Sequence, residues 1–116
     1  MLLNEGVEVY LAIAPTDMRK NIDTLAILVS EQFDLNPACG SVFVFLSKRC
    51  DRVKLLYFDR NGFVLYYKRL ERGRFKLPAI DGKIGVIEPL QLRNLLAGLD
   101  IDKIRLPKRL QYHNFI

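Results

Sequence analysis

The 116-residue sequence predicts an α+β domain, in which an antiparallel meander sheet of about four or five strands packs with one long N-terminal helix and one short C-terminal helix. Three observations predict this class. Apolar residues recur every three or four positions over 17–33, the period of a helix with one buried face. Three β-rich runs follow, joined by short polar turns. A second helical period, with proline at its start, occurs near the carboxyl end.

The first elements are predicted to be a strand and an amphipathic helix. Residues 7–14 first alternate between apolar and polar side chains and then become continuously apolar. This pattern indicates a strand that Pro15 ends. Thr16 or Asp17 then stands where an N-cap is expected, because short polar side chains accept hydrogen bonds from the free N–H groups of a first turn. The helix is therefore predicted from about Asp17 to position 33.

The centre of the chain predicts three antiparallel strands over 42–46, 53–58 and 63–70. Between the last two lies Asn61-Gly62, and this dipeptide is a strong hairpin signal because both residues tolerate positive φ. Short connections allow only antiparallel neighbours, so these runs form a meander. The first strand is expected to join this sheet at an edge.

The carboxyl part of the sequence predicts one more strand and one short helix. The strand covers 84–87, and the helix begins near Pro89 and ends at Gly98. Nothing in the composition divides the chain further. The predicted organisation is a single α+β domain over 1–102, followed by a basic C-terminal tail over 103–116.

Charge is unevenly distributed along the chain. The net charge is +5, but residues 48–76 contain ten basic and three acidic side chains, and 103–109 contain four basic and no acidic ones. Such segregation favours an anionic partner, most often nucleic acid. The tail is either a second phosphate-binding arm or a frayed terminus whose charges add solubility, and both hypotheses remain open.

The predicted hairpin indicates where an anion would bind. Because side chains alternate along a strand, Lys54 and Lys68 each share a face with a ring, Phe58 and Tyr66 respectively. One face of the hairpin is expected to combine lysines and rings, which would meet phosphates and unpaired bases. The alternative is a solvated strand whose lysines protect a sheet edge. The candidate nucleic-acid-binding residues are Lys48, Arg49, Arg52, Lys54, Lys68, Arg69, Arg72, Arg74 and Lys76.

Metal sites, cofactors and membrane spans are not predicted. Cys39 and Cys50 lie eleven residues apart without a CxxC motif, and His113 is the only histidine, so a zinc ligand set is missing. Two free thiols suit a reducing cytosol. The N-terminus lacks the pattern of a signal peptide, and no apolar run reaches the length of a membrane helix. We expect a cytoplasmic protein with no membrane partner.

The sequence also predicts that the protein is not an enzyme. A nuclease needs two or three carboxylates around Mg²⁺, and Asp17, Asp23, Asp59 and Asp81 are available. Each has a simpler role as a cap, a helix partner or a turn residue. The phosphate-binding glycine loops and the nucleophile elbow are absent from the sequence. Asp17 and Asp23 are expected to neutralise Arg19 and Lys20 near the start of the helix.

Three segments of the sequence resemble a known family. They are YLAIAPTDMRKNIDTLAILV (10–29), VFVFLSKRCDRVKLLYFDRNGFVLYYKRLERGRFKLP (42–78) and LRNLLAGLDI (92–101). In this order they are similar to the TnpB-type accessory protein of the insertion sequence 66 group of bacterial transposons, a group of mobile genetic elements. The resemblance implies an accessory factor for transposition, a form of DNA recombination. Such a factor acts beside a separate transposase that holds the catalytic carboxylates. The resemblance implies no particular catalytic or binding residues.

Two functions are consistent with the sequence. In the first, the basic hairpin and loop bind DNA, at the ends of the element, either as a duplex or as a single strand. In the second, the protein is an adaptor that docks on the transposase of the same element without contacting DNA. Tyrosine and arginine dominate protein–protein hot spots as well, so composition does not separate the two functions, and it leaves the oligomeric state open.

Overall fold

The structure is a computed structural model that describes residues 6–77 and 79–98. The predicted basic tail, 103–116, lies outside these residues. The strands are β1 (Val9–Ala12), β2 (Val42–Leu46), β3 (Arg52–Asp59), β4 (Gly62–Arg69) and β5 (Ile84–Ile87). The helices are α1 (Ile22–Leu28), which continues as a π-helical segment (Val29–Phe33), and α2 (Pro89–Leu96).

The five strands form one mixed sheet in the order β4-β3-β2-β1-β5. The α+β class is confirmed, but the expectation of a purely antiparallel sheet is wrong, because β1 runs parallel to β2. Strand β1 does join the meander at an edge, beside β2, and β5 pairs with its other side. The helix-containing connection over 13–41 explains the parallel pairing. A crossover of this length can carry the chain back to start a parallel neighbour, which a hairpin cannot do.

Strand β2 is buried along its whole length, because both faces of the sheet are covered. Its even-numbered residues pack with β1, β3, α2 and the segment after β4. Phe43 and Phe45 point to the other face, where Phe33 of the π-helical segment contacts both rings at centroid distances of 5.6 and 5.9 Å. The continuous apolar run VFVFL is therefore that of a strand between two apolar layers.

Helix α1 is shorter than predicted and starts later. Its N-cap is Asn21, and neither Thr16 nor Asp17 caps it. The Asn21 side chain accepts a hydrogen bond from the Thr24 N–H at 3.1 Å, while the Asn21 N–H donates to Thr24 Oγ1 at 2.8 Å. These reciprocal bonds form a capping box, which satisfies two backbone donors at the start of the helix.

The segment before α1 is kept out of the helix by contacts with the sheet. The Thr16 N–H donates to the Leu46 carbonyl at 2.9 Å. The Lys54 ammonium donates to the carbonyl oxygens of Met18 and Lys20, each at 2.7 Å. In a helix from Asp17 those two carbonyls would accept from N–H groups four residues later. The lysine of β3 occupies them, so the chain becomes helical only after Asn21.

The β3–β4 hairpin turns one residue earlier than predicted. Asp59 pairs with Gly62, so the turn residues are Arg60 and Asn61, and Arg60 takes the positive φ of 54°. This register places Phe58 directly opposite Phe63, with ring centroids 5.1 Å apart and the rings nearly perpendicular. A cross-strand aromatic pair of this kind stabilises the register.

Helix α2 follows its predicted pattern and covers the second face of the sheet. Pro89 occupies the first turn, and Leu92 and Leu95 are fully buried. Gly98 has a φ of 82°, and its N–H donates to the Leu95 carbonyl at 2.9 Å, which ends the helix as predicted. Neither this helix nor any other in 6–77 and 79–98 has the length and apolar content to cross a membrane.

Asn21→Ala tests the observed start of α1. We expect the free energy of unfolding to fall by about 1 kcal/mol, because the change removes the side-chain half of the capping box. Urea denaturation followed by circular dichroism measures it. Ser30→Ala, at an exposed position of the same helical stretch, is the control and should change the free energy by less than about 0.5 kcal/mol. An equal effect of the two substitutions would contradict this assignment of the cap.

Candidate nucleic-acid interface

The turn between β2 and β3 presents two basic side chains on a tightly bonded backbone. The Ser47 N–H donates to the Arg52 carbonyl at 3.0 Å, and the Arg52 N–H donates to Ser47 Oγ at 3.1 Å. Ser47 Oγ also lies 3.1 Å from a carboxylate oxygen of Asp51, to which it donates. Lys48 and Arg49 are exposed at the tip. The hydrogen bonds of the turn therefore fix the backbone from which these two cationic side chains extend.

The chain that leaves β4 returns to this turn. The Leu70 N–H donates to the Asp51 carbonyl at 2.7 Å, and the Phe75 N–H donates to the Cys50 carbonyl at 2.6 Å. Phe75 is only 2% exposed and belongs to the core on the α2 side of the sheet. A buried ring thus anchors a loop whose charged side chains remain in solvent.

These contacts gather most of the predicted site residues at one end of the sheet. We call this group the basic end, and its members are the exposed residues Lys48, Arg49, Arg52, Arg69, Arg72, Arg74 and Lys76. The acidic residues of the same two segments are Asp51, held in the turn, and Glu71, which pairs with Arg69 at 3.2 Å. Seven cations and two carboxylates leave the basic end strongly positive.

Two arginines of the basic end face each other on neighbouring strands. Arg52 pairs directly with Arg69, and both side chains are exposed. Like charges directly opposite each other on a sheet repel, and Glu71 offsets this repulsion only on the Arg69 side. An anion bound at this position would relieve the remaining repulsion.

Lys54 and Lys68 do not belong to the basic end. The register pairs Lys54 with Tyr67 and Lys68 with Val53, which puts the lysines on opposite faces of the hairpin. The expectation that one face combines both lysines with rings is therefore wrong. A two-residue turn pairs even-numbered with odd-numbered residues here, and directly paired residues share a face.

Each of the two lysines instead binds backbone carbonyls. Lys54 holds the segment before α1, as described above. Lys68 Nζ donates to the Leu96 carbonyl at 2.7 Å, at the last residue of α2. A cation at the carboxyl end of a helix interacts favourably with the helix dipole and satisfies a carbonyl that has no partner within the helix. Both lysines therefore contribute to the fold.

A cleft opens beside the basic end. It has a volume of about 430 Å³, and its lining includes Arg19, Lys48, Arg49, Arg52 and Tyr67. Alternation along β4 puts Tyr67 on the same strand face as Arg69, but no local pattern in the sequence brings Arg19 near it. Periodicity within 17–33 suggested a helix there, and nothing in that pattern shows that the segment before Asn21 lines a cleft with the β2–β3 turn.

Arg19 and Asp17 form the ion pair that the sequence suggested. The Arg19 guanidinium approaches the Asp17 carboxylate to 2.7 Å, and the Arg19 N–H donates to the same side chain at 2.9 Å. The side-chain hydrogen bonds from Arg19 lower the pKa of Asp17 well below its usual range, and the backbone hydrogen bond adds to this effect. Asp17 is therefore ionised at neutral pH and offsets the charge of Arg19 beside it.

Within residues 6–77 and 79–98, no three His, Cys, Asp or Glu side chains are grouped to hold a metal ion. Cys39 and Cys50 are free thiols, the first exposed and the second half-buried. Asp17 and Asp59, two of the aspartates considered for catalysis, lie toward opposite ends of the sheet, since Asp17 neighbours the β2–β3 turn and Asp59 ends β3.

Comparison with protein families shows to which family the chain belongs. The model of the family described as IS66 Orf2 like protein matches residues 7–106. The chain belongs to this family. The resemblance to the TnpB-type accessory protein is thus confirmed, and with it an accessory role associated with transposition of IS66 elements.

Two relatives of this chain come from Sinorhizobium fredii. Uncharacterized protein y4hO is 41% identical over 96 residues, which cover 83% of this chain and 84% of the relative. Uncharacterized protein y4jC is 34% identical over 102 residues, which cover 88% of this chain and 87% of the relative. No solved structure matches this chain.

Lys68→Met tests the structural role assigned to the two half-buried lysines, Lys54 and Lys68. We expect the free energy of unfolding to fall by about 1–2 kcal/mol, because the change removes a charged hydrogen bond to the end of α2 while keeping the apolar stem. Urea denaturation measures the loss. Lys76→Met, at an exposed position, is the matched control and should change the free energy by less than about 0.5 kcal/mol. A Lys68→Met protein as stable as this control would contradict the role.

Proposed function

We propose that this IS66 Orf2-like protein binds DNA through the basic end and acts as a non-catalytic accessory factor in transposition. The DNA would be at the ends of the element, and the partner protein would be the transposase of the same element. One observation carries the proposal. Two segments that are distant in sequence, 47–52 and 69–76, are bonded together so that their exposed cations form one surface.

The chemistry of this surface suits a phosphate backbone. Four of its seven cations are arginines on β3, β4 and the loop that Phe75 anchors, and Arg49 adds a fifth from the turn. Guanidinium groups bind phosphate oxygens in pairs and release the counterions that DNA carries, which makes binding favourable and salt-dependent. The fixed backbone of the turn reduces the entropy lost when these side chains meet a ligand.

The proposal assigns catalysis to a different protein. Asp17 is bound to Arg19, Asp59 lies at the far end of β3, and Asp23 is in the first turn of α1. Phosphodiester cleavage with two metal ions requires carboxylates that converge within a few ångströms. The separation of these side chains supports an accessory role.

A second candidate function is an adaptor that docks on the transposase without contacting DNA. Exposed apolar side chains outside the basic end favour it, namely Ile27 on α1, Val86 on β5 and Leu90 on α2, which are 55%, 63% and 41% exposed. They lie on three different elements, whereas backbone hydrogen bonds hold the two segments of the basic end together. We therefore place DNA binding first.

The salt dependence of DNA binding tests the proposal. We expect Arg49→Gln, Arg72→Gln and Arg74→Gln each to reduce the slope of log affinity against log salt by about one for duplex DNA, because each change removes one phosphate contact. Fluorescence anisotropy with a labelled duplex at several salt concentrations measures these slopes. In the triple variant this slope should fall by about three, while the circular dichroism spectrum stays unchanged.

Arg60→Gln is the matched control for this experiment. Arg60 is also exposed, but it lies in the hairpin turn at the opposite end of β3, eight residues of extended strand from Arg52, or roughly 26 Å. Its slope should equal that of the unaltered protein. Equal losses for Arg60→Gln and Arg74→Gln would reject the basic end as the binding surface. No binding to DNA even at low salt would reject DNA binding and favour the adaptor.

A further inference from the structure

We propose that the cleft beside the basic end holds an unpaired nucleotide of a single DNA strand, with Tyr67 stacked against its base. This inference rests on the proposed DNA-binding function and specifies the form of the DNA. The ligand follows from the combination of an exposed ring and several cations in one cleft. Four basic residues, Arg19, Lys48, Arg49 and Arg52, line the cleft together with Tyr67.

Tyr67 differs from the other tyrosines of the described chain. Tyr57 and Tyr66 pack against the core on the α2 side, and Tyr10 stacks on Phe43 at a centroid distance of 5.6 Å. Tyr67 is 51% exposed and belongs to neither core cluster. A large aromatic ring that does not pack into the core is available to a ligand.

The ring of Tyr67 is also restrained from one side. The Lys54 ammonium lies 5.3 Å from the ring centroid, a distance at which a cation is attracted to the face of the ring. Lys54 is itself held by the carbonyls of Met18 and Lys20. The ring therefore has a defined orientation before a ligand arrives, and such preorganisation lowers the entropy cost of binding.

A base can stack on this ring only when it is not stacked within a duplex. In double-stranded DNA the faces of the bases cover each other, and a protein reaches only their edges through the grooves. An unpaired base offers its whole face, and stacking on an aromatic side chain is the common way in which proteins hold single strands. The cleft volume of about 430 Å³ lies within the range of small-ligand sites, roughly 300–1,000 Å³.

The charges around the ring suit the phosphates on either side of such a base. Two carboxylates also line the cleft, but Asp17 is bound to Arg19 and Asp51 accepts from the Ser47 hydroxyl. The remaining cations continue from the cleft into the basic end through Arg52 and its neighbour Arg69. A DNA strand that leaves the cleft therefore passes directly onto a positive surface. Such a surface binds the phosphate backbone of single-stranded DNA along its length.

The first experiment compares Tyr67→Ala with Tyr67→Phe on a labelled single-stranded oligonucleotide and on the matching duplex. We expect Tyr67→Ala to weaken single-strand binding by roughly 5- to 150-fold, the loss typical of one stacked base, and to change duplex binding less than about twofold. Tyr67→Phe keeps the ring and should bind the single strand within about twofold of the unaltered protein.

The second experiment reports on the ring itself. The chain contains no tryptophan, so Tyr67→Trp introduces a single indole in the cleft. Its fluorescence should be quenched by the single strand and unchanged by an equal concentration of duplex. Val86→Trp, at an exposed position on the opposite edge strand, is the control and should respond to neither DNA. Added dTMP at the same nucleotide concentration should not reproduce the quenching, because a free nucleotide lacks the neighbouring phosphates.

The outcomes separate this inference from the function on which it rests. Equal weakening of single-strand and duplex binding in Tyr67→Ala, or quenching by duplex or by dTMP as strong as that by the single strand, would overturn the stacking site. Such results would not contradict the proposal that the basic end binds DNA. No binding to either form of DNA by the unaltered protein would overturn both proposals.

Discussion

The burial of β2 on both faces is the constraint on which the rest of the structure depends. All five of its residues are apolar and at most 3% exposed, so both sides of the sheet must be covered. Helix α1 and the π-helical segment cover one side, and α2 covers the other with the loop that contains Phe75. The basic end results from this arrangement, because a core residue draws the arginine-rich loop back to the β2–β3 turn.

The chain uses its basic residues in two physically different ways. Lys54 and Lys68 are partly buried and donate to carbonyls at 2.7 Å, where a compact ammonium on a flexible stem satisfies backbone acceptors. Most of the basic end consists instead of exposed arginines, whose planar groups suit phosphate. The net charge of +5 alone does not reveal this division, because it counts both kinds of residue equally.

Local patterns in the sequence predicted most elements, and long-range contacts explain the misses. The strands 42–46 and 84–87 and the end of α2 at Gly98 match their predictions, since alternation, apolar runs and glycine caps act over a few residues. The start of α1 depends on Lys54, more than thirty residues away, so its own sequence could not show it. The parallel direction of β1 likewise depends on how the chain crosses the sheet between β1 and β2.

The candidate site was also predicted only in part, because some of its residues are brought together by long-range contacts. Charge density along 48–76 indicated the surface, and seven of the nine candidate residues lie together at the basic end. The other two were included because the hairpin register was unknown, and Arg19 was left out because only the tertiary fold puts it in the same cleft as the β2–β3 turn. The central proposal is that DNA binds at the basic end.

A backbone-amide NMR titration of the ¹⁵N-labelled protein with a short single-stranded oligonucleotide tests that proposal most directly. The account predicts that the largest shift changes occur at 47–52 and 67–76, with smaller ones at 17–19. The hairpin turn at Arg60 and strand β5, which lie away from the basic end, should stay unchanged. The largest changes on β5 or the outer face of α1, or no changes at all, would contradict the account.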